Sequence, residues 1–249
     1  MVSGLMTETI RICLWSGPRN ISTATMRAFE NRADCEVWDE PFYGPYLVAT
    51  GLDHPGRDHI LDSVPLDAGE IARHCAGDAP GGAPLFFQKH MCQHMLDDIP
   101  RDWMAVCRHV FLIRDPAEVA ASFAATTGSV TPDDIGAARQ SELYEYASQL
   151  TGRAWPVIEG RDVLENPEGM LKALCAAIDI PFDAAMLAWP AGARDSDGVW
   201  APWWYERVEA STGFEPPQDS PHDLPDAAHG TADICRPHYE KLRDRKLTA

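Results

Sequence analysis

Short apolar runs alternate with helical patterns along this chain, and this alternation most strongly limits its fold. The predicted strands are Arg11–Trp15, Cys35–Trp38, Leu85–Gln88, Val110–Ile113 and Trp155–Ile158. The predicted helices are Ile21–Asn31, Asp67–Cys75, Cys92–Asp97, Pro116–Ala124, Pro132–Leu150 and Pro167–Ile178, the longest of which begins with Thr131 as N-cap and Asp134 in a capping box. This order predicts an α/β fold of three layers, α/β/α, with a central parallel sheet. Such sheets bind ligands at the carboxyl ends of their strands.

Two segments, 51–84 and 190–232, are rich in Gly, Pro and Asp and are predicted to be irregular. Long loops at the carboxyl end of a strand often cover a substrate. The 249 residues contain no internal repeat and no linker, so we predict one domain spanning residues 1–249.

The charge and cysteine content narrow the range of partners and locations. A net charge of −17 without a basic run disfavours binding to nucleic acid or to an anionic membrane surface. An anionic ligand would therefore need a few well-placed arginines. The seven cysteines form no CxxC pair, and neither a signal-peptide pattern nor an apolar run of membrane-spanning length is evident. We therefore expect a cytoplasmic protein without disulfides; the oligomeric state is not indicated.

The first candidate site is the turn after the first strand, which reads Ser16-Gly17-Pro18-Arg19-Asn20-Ile21-Ser22-Thr23. Where a strand turns into a helix, backbone N–H groups converge on an anion. Hydroxyl groups and the planar guanidinium of Arg19 would add phosphate donors. The alternative is an ordinary turn with a serine N-cap. The turn is not a Walker A loop, because it lacks the G-x-x-x-x-G-K-[ST] pattern.

The second candidate follows the fourth predicted strand. Arg114-Asp115-Pro116 ends the strand, and Ser122 lies eight residues after Arg114 in the next helix. A charged residue at the end of a buried strand lies where ligands bind. The alternative is that Arg114 pairs with Asp115 or another carboxylate.

Together these two segments resemble the cofactor loops of the sulfotransferase family, whose fold is similar to that of P-loop kinases. The resemblance covers roughly Arg11 to Tyr205 and includes Val163–Pro167 and Pro181-Phe182. It implies 3′-phosphoadenosine 5′-phosphosulfate (PAPS) as donor and adenosine 3′,5′-bisphosphate (PAP) as product. Residues 16–23 would hold the 5′-phosphosulfate, and Arg114 and Ser122 the 3′-phosphate. Arg194, followed by Gly198 and Trp200, resembles a C-terminal stretch that also holds the 3′-phosphate.

The chain departs from the family pattern in two places. Arg19 stands where the family typically has Lys, and the first loop lacks an internal Gly. The C-terminal signature around Arg194 is also reduced.

Asp39 and Glu40 end the second predicted strand and supply a candidate general base. Neighbouring residues point in different directions, so we expect only one of these carboxylates to face the site. Several sulfotransferase branches place a catalytic Glu here, which implies Glu40. The alternative is that one of the two caps the next segment.

Lys89 and His90 end the third predicted strand. Cytosolic sulfotransferases carry Lys-x-His at this position, which implies Lys89 as a group that stabilises charge on the leaving oxygen, together with Arg19, and His90 as the alternative base. Because the two residues are adjacent, they cannot point the same way on a strand. His90 and His94 could also form a metal pair on a helix, but no third ligand is evident, and we expect no metal.

The resemblance implies transfer of a sulfuryl group to a hydroxyl or amine of a small-molecule acceptor. Aromatic residues of the tail either line the acceptor pocket or pack in the core: Trp189, Trp200, Trp203, Trp204 and Tyr205. Two other functions stay open, namely a P-loop kinase or nucleotide hydrolase and a non-catalytic binding protein on the same scaffold.

Overall fold

The computed structural model describes residues 9–217 and 226–249, and its centre is a parallel five-stranded sheet. The strands are β1 (Ile10–Ser16), β2 (Cys35–Asp39), β3 (Leu85–Met91), β4 (Cys107–Ile113) and β5 (Val157–Glu159). Their order across the sheet is β2-β3-β1-β4-β5. The carboxyl-terminal Ser16 of β1 lies opposite Met91 of β3 and Leu112 of β4, so the loops that follow these strands meet at one edge.

Helices cover both faces of the sheet. In chain order they are α1 (Ser22–Glu30), α2 (Tyr43–Thr50), α3 (Arg57–Ser63), α4 (Ala68–Cys75), α5 (Pro116–Thr127), α6 (Pro132–Ile135), α7 (Ala137–Thr151), α8 (Gly160–Glu165), α9 (Pro167–Ala177), α10 (Ala201–Trp204), α11 (Glu206–Ala210) and α12 (Asp226–Arg243).

The alternation of side chains along β1 shows how the three layers form. Ile12 and Leu14 pack into a core with α1 and α9, whereas Cys13 and Trp15 pack into a second core with α4, α7 and α12. All four side chains are fully buried. Because successive residues of a strand point to opposite faces, a wholly apolar strand needs a helical layer on each side. The expected three-layer α/β/α fold with a parallel sheet is confirmed.

Several helices differ from the sequence prediction. The long helix expected over Pro132–Leu150 is two helices, α6 and α7, because Gly136 has a φ of 70° and breaks the hydrogen-bonded path. The capping box of Thr131 and Asp134 is present at the start of α6. The helix expected over Cys92–Asp97 is only a 3₁₀ turn at Cys92–His94.

Segments predicted to be irregular contain helices. The 51–84 segment holds α3 and α4, and the 190–232 segment holds α10, α11 and the first turns of α12; residues 218–225 of it lie outside the described part of the chain. The sequence prediction also missed α2 and α8.

The seven cysteines are buried and free. In residues 9–217 and 226–249, no helix is both long and apolar enough to cross a membrane.

Candidate active site

A cavity of about 370 Å³ opens at the carboxyl edge of β1, β4 and β5. Four arginines line it: Arg19 after β1, Arg114 after β4, Arg161 in α8 and Arg207 in α11. Ser122 of α5 faces the same cavity, and Trp204 and Tyr205 form part of its outer wall. The two loops singled out in the sequence therefore meet in one cavity, whose positive groups suit an anion.

Arg19 is in direct contact with both Ser122 and Arg114. The Nε of Arg19 donates a hydrogen bond to Ser122 Oγ at 3.0 Å, and Arg114 donates to the backbone carbonyl of Arg19. Arg19 has a positive φ of 54°, which turns its side chain toward α5. Burial lowers the pKa of Arg19, and the charges of Arg114 and Arg207 lower it further. These arginines repel one another, and an anion between them would relieve the repulsion.

The other residues of the first turn divide into three groups. Asn20, Ile21 and Thr23 line the large cavity. Ser16 and Ser22 are buried, and no side chain caps α1, so the ordinary serine-capped turn is not observed. The Ile21 N–H is bound by Asn20 Oδ1 at 2.9 Å. Gly17 and Pro18 line a separate recess of about 20 Å³.

Carboxylates also line the large cavity. Both oxygens of Glu118 contact its arginines: Oε2 accepts from Arg114 Nε at 3.0 Å, and Oε1 accepts from Arg161 at 3.3 Å. Glu159 instead accepts hydrogen bonds from Tyr239 and from Lys246. Arg114 thus has a carboxylate partner, as the sequence alternative allowed, and it lies in the cavity as well.

Arg194 lies outside this cavity. Its guanidinium donates to the carbonyl of Pro190 at 3.1 Å, and its backbone N–H binds Asp197. The structure therefore does not bring Arg194 together with Arg114 and Ser122. Arg161 and Arg207, which sequence reasoning missed, occupy the cavity wall instead. Arg161 follows the last strand closely, a signal that could have identified it.

A buried ionic cluster lies at the ends of β2 and β3. Lys89 Nζ donates to Asp39 Oδ1 at 2.8 Å, to Glu40 Oε1 at 2.6 Å and to the Tyr205 hydroxyl at 2.7 Å. These three bonds use all three donors of the ammonium group. Burial alone would lower the pKa of Lys89, but the charges of Asp39 and Glu40 raise it well above its ordinary value. Lys89 is therefore a fixed cation within the cluster.

Both carboxylates bind Lys89 although they are neighbours in sequence, and the expectation that only one of them faces the site stays a prediction. Glu40 has a φ of 41°, so the backbone turns and the strand alternation ends at Asp39. Asp39 is saturated, since Oδ2 also accepts from Tyr205 at 2.6 Å and from the Gly198 N–H at 3.1 Å. Among the described residues, Glu40 Oε2 forms no hydrogen bond; His94 Nδ1 is 3.9 Å away. Burial raises the pKa of Glu40, although Lys89 opposes this shift.

Tyr205 connects the ionic cluster to the cavity. Its hydroxyl binds Lys89 and Asp39 and accepts a hydrogen bond from Trp200 Nε1 at 3.1 Å, while the residue lines the cavity. The tail aromatics thus divide: Trp189 and Trp200 are buried in core clusters, Trp204 and Tyr205 line the cavity, and Trp203 is 42% exposed.

His90 points away from this cluster. It is buried and stacks on Trp15 at 4.5 Å between ring centroids, and burial lowers its pKa to about 3. Its burial and lowered pKa favour a packing role over that of a base, and the assignment of His90 as the alternative base stays a prediction. His90 lies on β3 and His94 in the following 3₁₀ turn, so they do not form a helical pair. Within the described ranges, no three His, Cys, Asp or Glu side chains are arranged to hold a metal.

Comparison with known proteins identifies the kind of domain. A family model described as a sulfotransferase domain matches residues 10–245. The chain is 36% identical over 231 residues to the branched-chain-amino-acid aminotransferase-like protein 2 of Arabidopsis thaliana, a match that covers 92% of this chain and 40% of that protein. The chain thus spans about two fifths of the length of this curated relative.

Two solved structures share the fold. The sulfotransferase domain of the Synechococcus PCC 7002 olefin synthase has a TM-score of 0.54 and 12% identity, with 92% of this chain and 94% of that chain covered. A sulfotransferase from Alicyclobacillus acidocaldarius has a TM-score of 0.53 and 14% identity, with 96% of this chain and 97% of that chain covered. The P-loop-like sulfotransferase fold expected from the sequence is confirmed.

Proposed function

Because this chain belongs to the sulfotransferase domain family, we propose that it transfers a sulfuryl group from PAPS to a hydroxyl or amine of a small-molecule acceptor. One observation carries the proposal: Arg19 of the first loop contacts both Arg114 and Ser122 of the second in an arginine-lined cavity. A nucleotide with phosphates at both ends of its ribose needs several separate cations, and this cavity offers four. Arg161 and Arg207 take the part that the sequence suggested for Arg194.

Glu40 is the proposed general base. Its Oε1 is held by Lys89, while Oε2 is free to accept a proton from the acceptor. A carboxylate with a raised pKa is a stronger base once ionised, and the charge of the Lys89 ammonium opposes part of that rise in the pKa of Glu40. Asp39 is less suited, because both of its oxygens already accept hydrogen bonds.

Arg19 and Lys89 have different roles in the proposed transfer step. The acceptor oxygen or nitrogen forms a bond to sulfur as its proton passes to Glu40 Oε2. The bond between sulfur and the bridging oxygen breaks, and its electron pair stays on the 5′-phosphate. Arg19 lines the cavity and is suited to stabilise that charge. The donors of Lys89 are fully used, so Lys89 positions Glu40 instead of contacting the leaving oxygen.

Two other functions receive less support. A P-loop kinase or nucleotide hydrolase would need a Walker lysine in the first turn, where this chain has Arg19 and Asn20. A non-catalytic binding protein would not require a carboxylate such as Glu40, which binds the buried Lys89 ammonium through one oxygen and keeps the other available.

The name of the Arabidopsis relative suggests aminotransferase chemistry, which the site does not favour. That chemistry requires a lysine whose amine can become neutral and attack a carbonyl group. Lys89 is the lysine of the candidate site, and two carboxylates raise its pKa well above the ordinary value.

Calorimetric titration with PAP, with ATP and Mg²⁺ in parallel, tests the donor class. We expect micromolar binding of PAP, much tighter than that of ATP, and at least tenfold weaker binding in Arg114→Ala, because removing a charged partner of a phosphate costs about 1.5–3 kcal/mol. Binding of ATP alone would favour the kinase, and binding of neither nucleotide would refute the proposed donor.

A further inference from the structure

We propose that Glu118 is an internal counter-anion of the donor cavity, which weakens nucleotide binding and thereby speeds release of the product PAP. This inference rests on the proposed function, because it assumes that the cavity binds PAPS and PAP. Glu118 would set the affinity of the site without contacting the reacting atoms.

Glu118 bridges two arginines of the cavity. Glu118 lies in the first turn of α5, four residues after Arg114. Each of its carboxylate oxygens binds a different guanidinium group, that of Arg114 at 3.0 Å and that of Arg161 at 3.3 Å. The Glu118 side chain is 30% exposed and lines the cavity. The carboxylate therefore occupies donors that a phosphate group of the ligand would use.

The other acidic residues of the cavity wall have different partners. Asp115 caps the N–H of Ala117 and pairs with Arg236 of α12 at 3.5 Å. Glu159 is bound by Tyr239 and Lys246. Glu215 pairs with Arg207 at 3.5 Å, and both of these side chains are more than half exposed. Among the described wall residues, Glu118 is the carboxylate that binds two cavity arginines at once.

Two effects of Glu118 on nucleotide binding oppose each other. Its hydrogen bonds hold Arg114 and Arg161 in place, which favours binding. Its negative charge competes with the phosphates and stays close to them after they bind, which disfavours binding. A glutamine would keep an oxygen that accepts from Arg114 but would remove the charge. The charge effect therefore dominates in the exchange of Glu118 for Gln.

The test is calorimetric titration of PAP into the full chain, comparing wild type, Glu118→Gln and Glu165→Gln at one low ionic strength. Glu165 lies in α8 with its carboxylate 3.8 Å from Arg161 but does not line the cavity, so it is the matched control. We expect Glu118→Gln to bind PAP about tenfold more tightly, equivalent to about 1.4 kcal/mol, and to release it more slowly in stopped-flow displacement. Glu165→Gln should stay within about twofold of wild type.

Tighter binding is a readout that structural damage does not produce. Unchanged or weaker binding by Glu118→Gln, while wild type binds PAP, would overturn the role of Glu118 and leave the proposed function intact. Equal tightening in Glu165→Gln would overturn it too, because the effect would then be one of general surface charge. If wild type does not bind PAP, the proposed donor fails, and the role of Glu118 fails with it.

Discussion

At the scale of single residues, Asp39 and Glu40 show how neighbours of the same chemical type receive different tasks. Asp39 accepts hydrogen bonds from Lys89, Tyr205 and the Gly198 N–H, so it connects the end of β2 to the segment that contains Gly198 and Tyr205. Glu40 shares Lys89 but keeps one oxygen without a hydrogen bond among the described residues. Hydrogen-bond saturation, rather than distance from the strand, therefore separates a structural carboxylate from a candidate base.

We expect Glu40→Gln to reduce sulfuryl transfer from PAPS about 10²- to 10⁴-fold, because the acceptor loses its general base. PAP affinity should change by less than about twofold, since Glu40 does not line the donor cavity. Sulfur-35 transfer to an acceptor found by screening measures the first quantity, and calorimetry measures the second.

The control for this experiment is His90→Phe, which preserves the ring stacked on Trp15. This variant should keep its transfer rate within about threefold of wild type, because His90 is buried away from the site. Full turnover by Glu40→Gln would exclude Glu40 as the base, and a large loss in His90→Phe alone would restore His90 as the candidate.

At the scale of elements, the turn between β1 and α1 is supported by the short helix α6. A Cβ on Gly17 would lie 2.7 Å from the carbonyl oxygen of Ile135, the last residue of α6. This approach is closer than real Cβ contacts, and a backbone carbonyl cannot swing aside as a flexible side chain can. Because residue 17 has no side chain, the turn that carries Arg19 can pack directly against the end of α6.

We expect Gly17→Ala to lower the free energy of unfolding by about 1–3 kcal/mol, the usual effect of overpacking, and to weaken PAP binding. Urea denaturation and calorimetry measure the two effects. Gly230→Ala in α12 is the control, because its Cβ would meet nothing within 4 Å. That exchange should leave PAP affinity unchanged and raise stability by up to about 1 kcal/mol. Equal PAP affinities of Gly17→Ala and wild type would refute the supporting role of α6.

At the scale of the whole molecule, buried histidines make stability depend on pH. Burial lowers the pKa of His90 to about 3 and that of His109 to about 4, and burial also lowers the pKa of His94 well below 6.5. The folded protein keeps these rings neutral, whereas the unfolded chain binds protons below its pKa of about 6.5. The contribution of these neutral histidines to the free energy of unfolding is therefore fully present above the unfolded pKa of about 6.5. It is lost progressively as the pH falls toward their lowered pKa values.

We expect the free energy of unfolding to fall between pH 7.5 and pH 5 by about 2 kcal/mol for each of His90 and His109, and His94 acts in the same direction. The raised pKa of Glu40 acts in the opposite direction and offsets part of the loss. Urea denaturation at both pH values measures the difference. His90→Phe should remove one histidine's share of it; a stability that is equal at pH 7.5 and pH 5 would contradict the expectation.

The sequence by itself determined the α/β class, the five strands and the loops that carry Arg19, Arg114 and Ser122. Wholly apolar strands alternating with helices leave few other arrangements, and the carboxyl ends of parallel strands must share an edge. The role of Glu40 stays a prediction, supported in sequence by its place after β2.

Only the tertiary structure decided which side chains share the site. Arg161 and Arg207 enter the cavity, and Arg194 stays outside it, because of how α8 and the tail segment pack. Lys89 is buried between two carboxylates and Tyr205, a residue 116 positions away along the chain. Local patterns specify strands and turns, but contacts between residues distant in sequence depend on packing of the whole chain, and these contacts set the charge and hydrogen bonding of each candidate group.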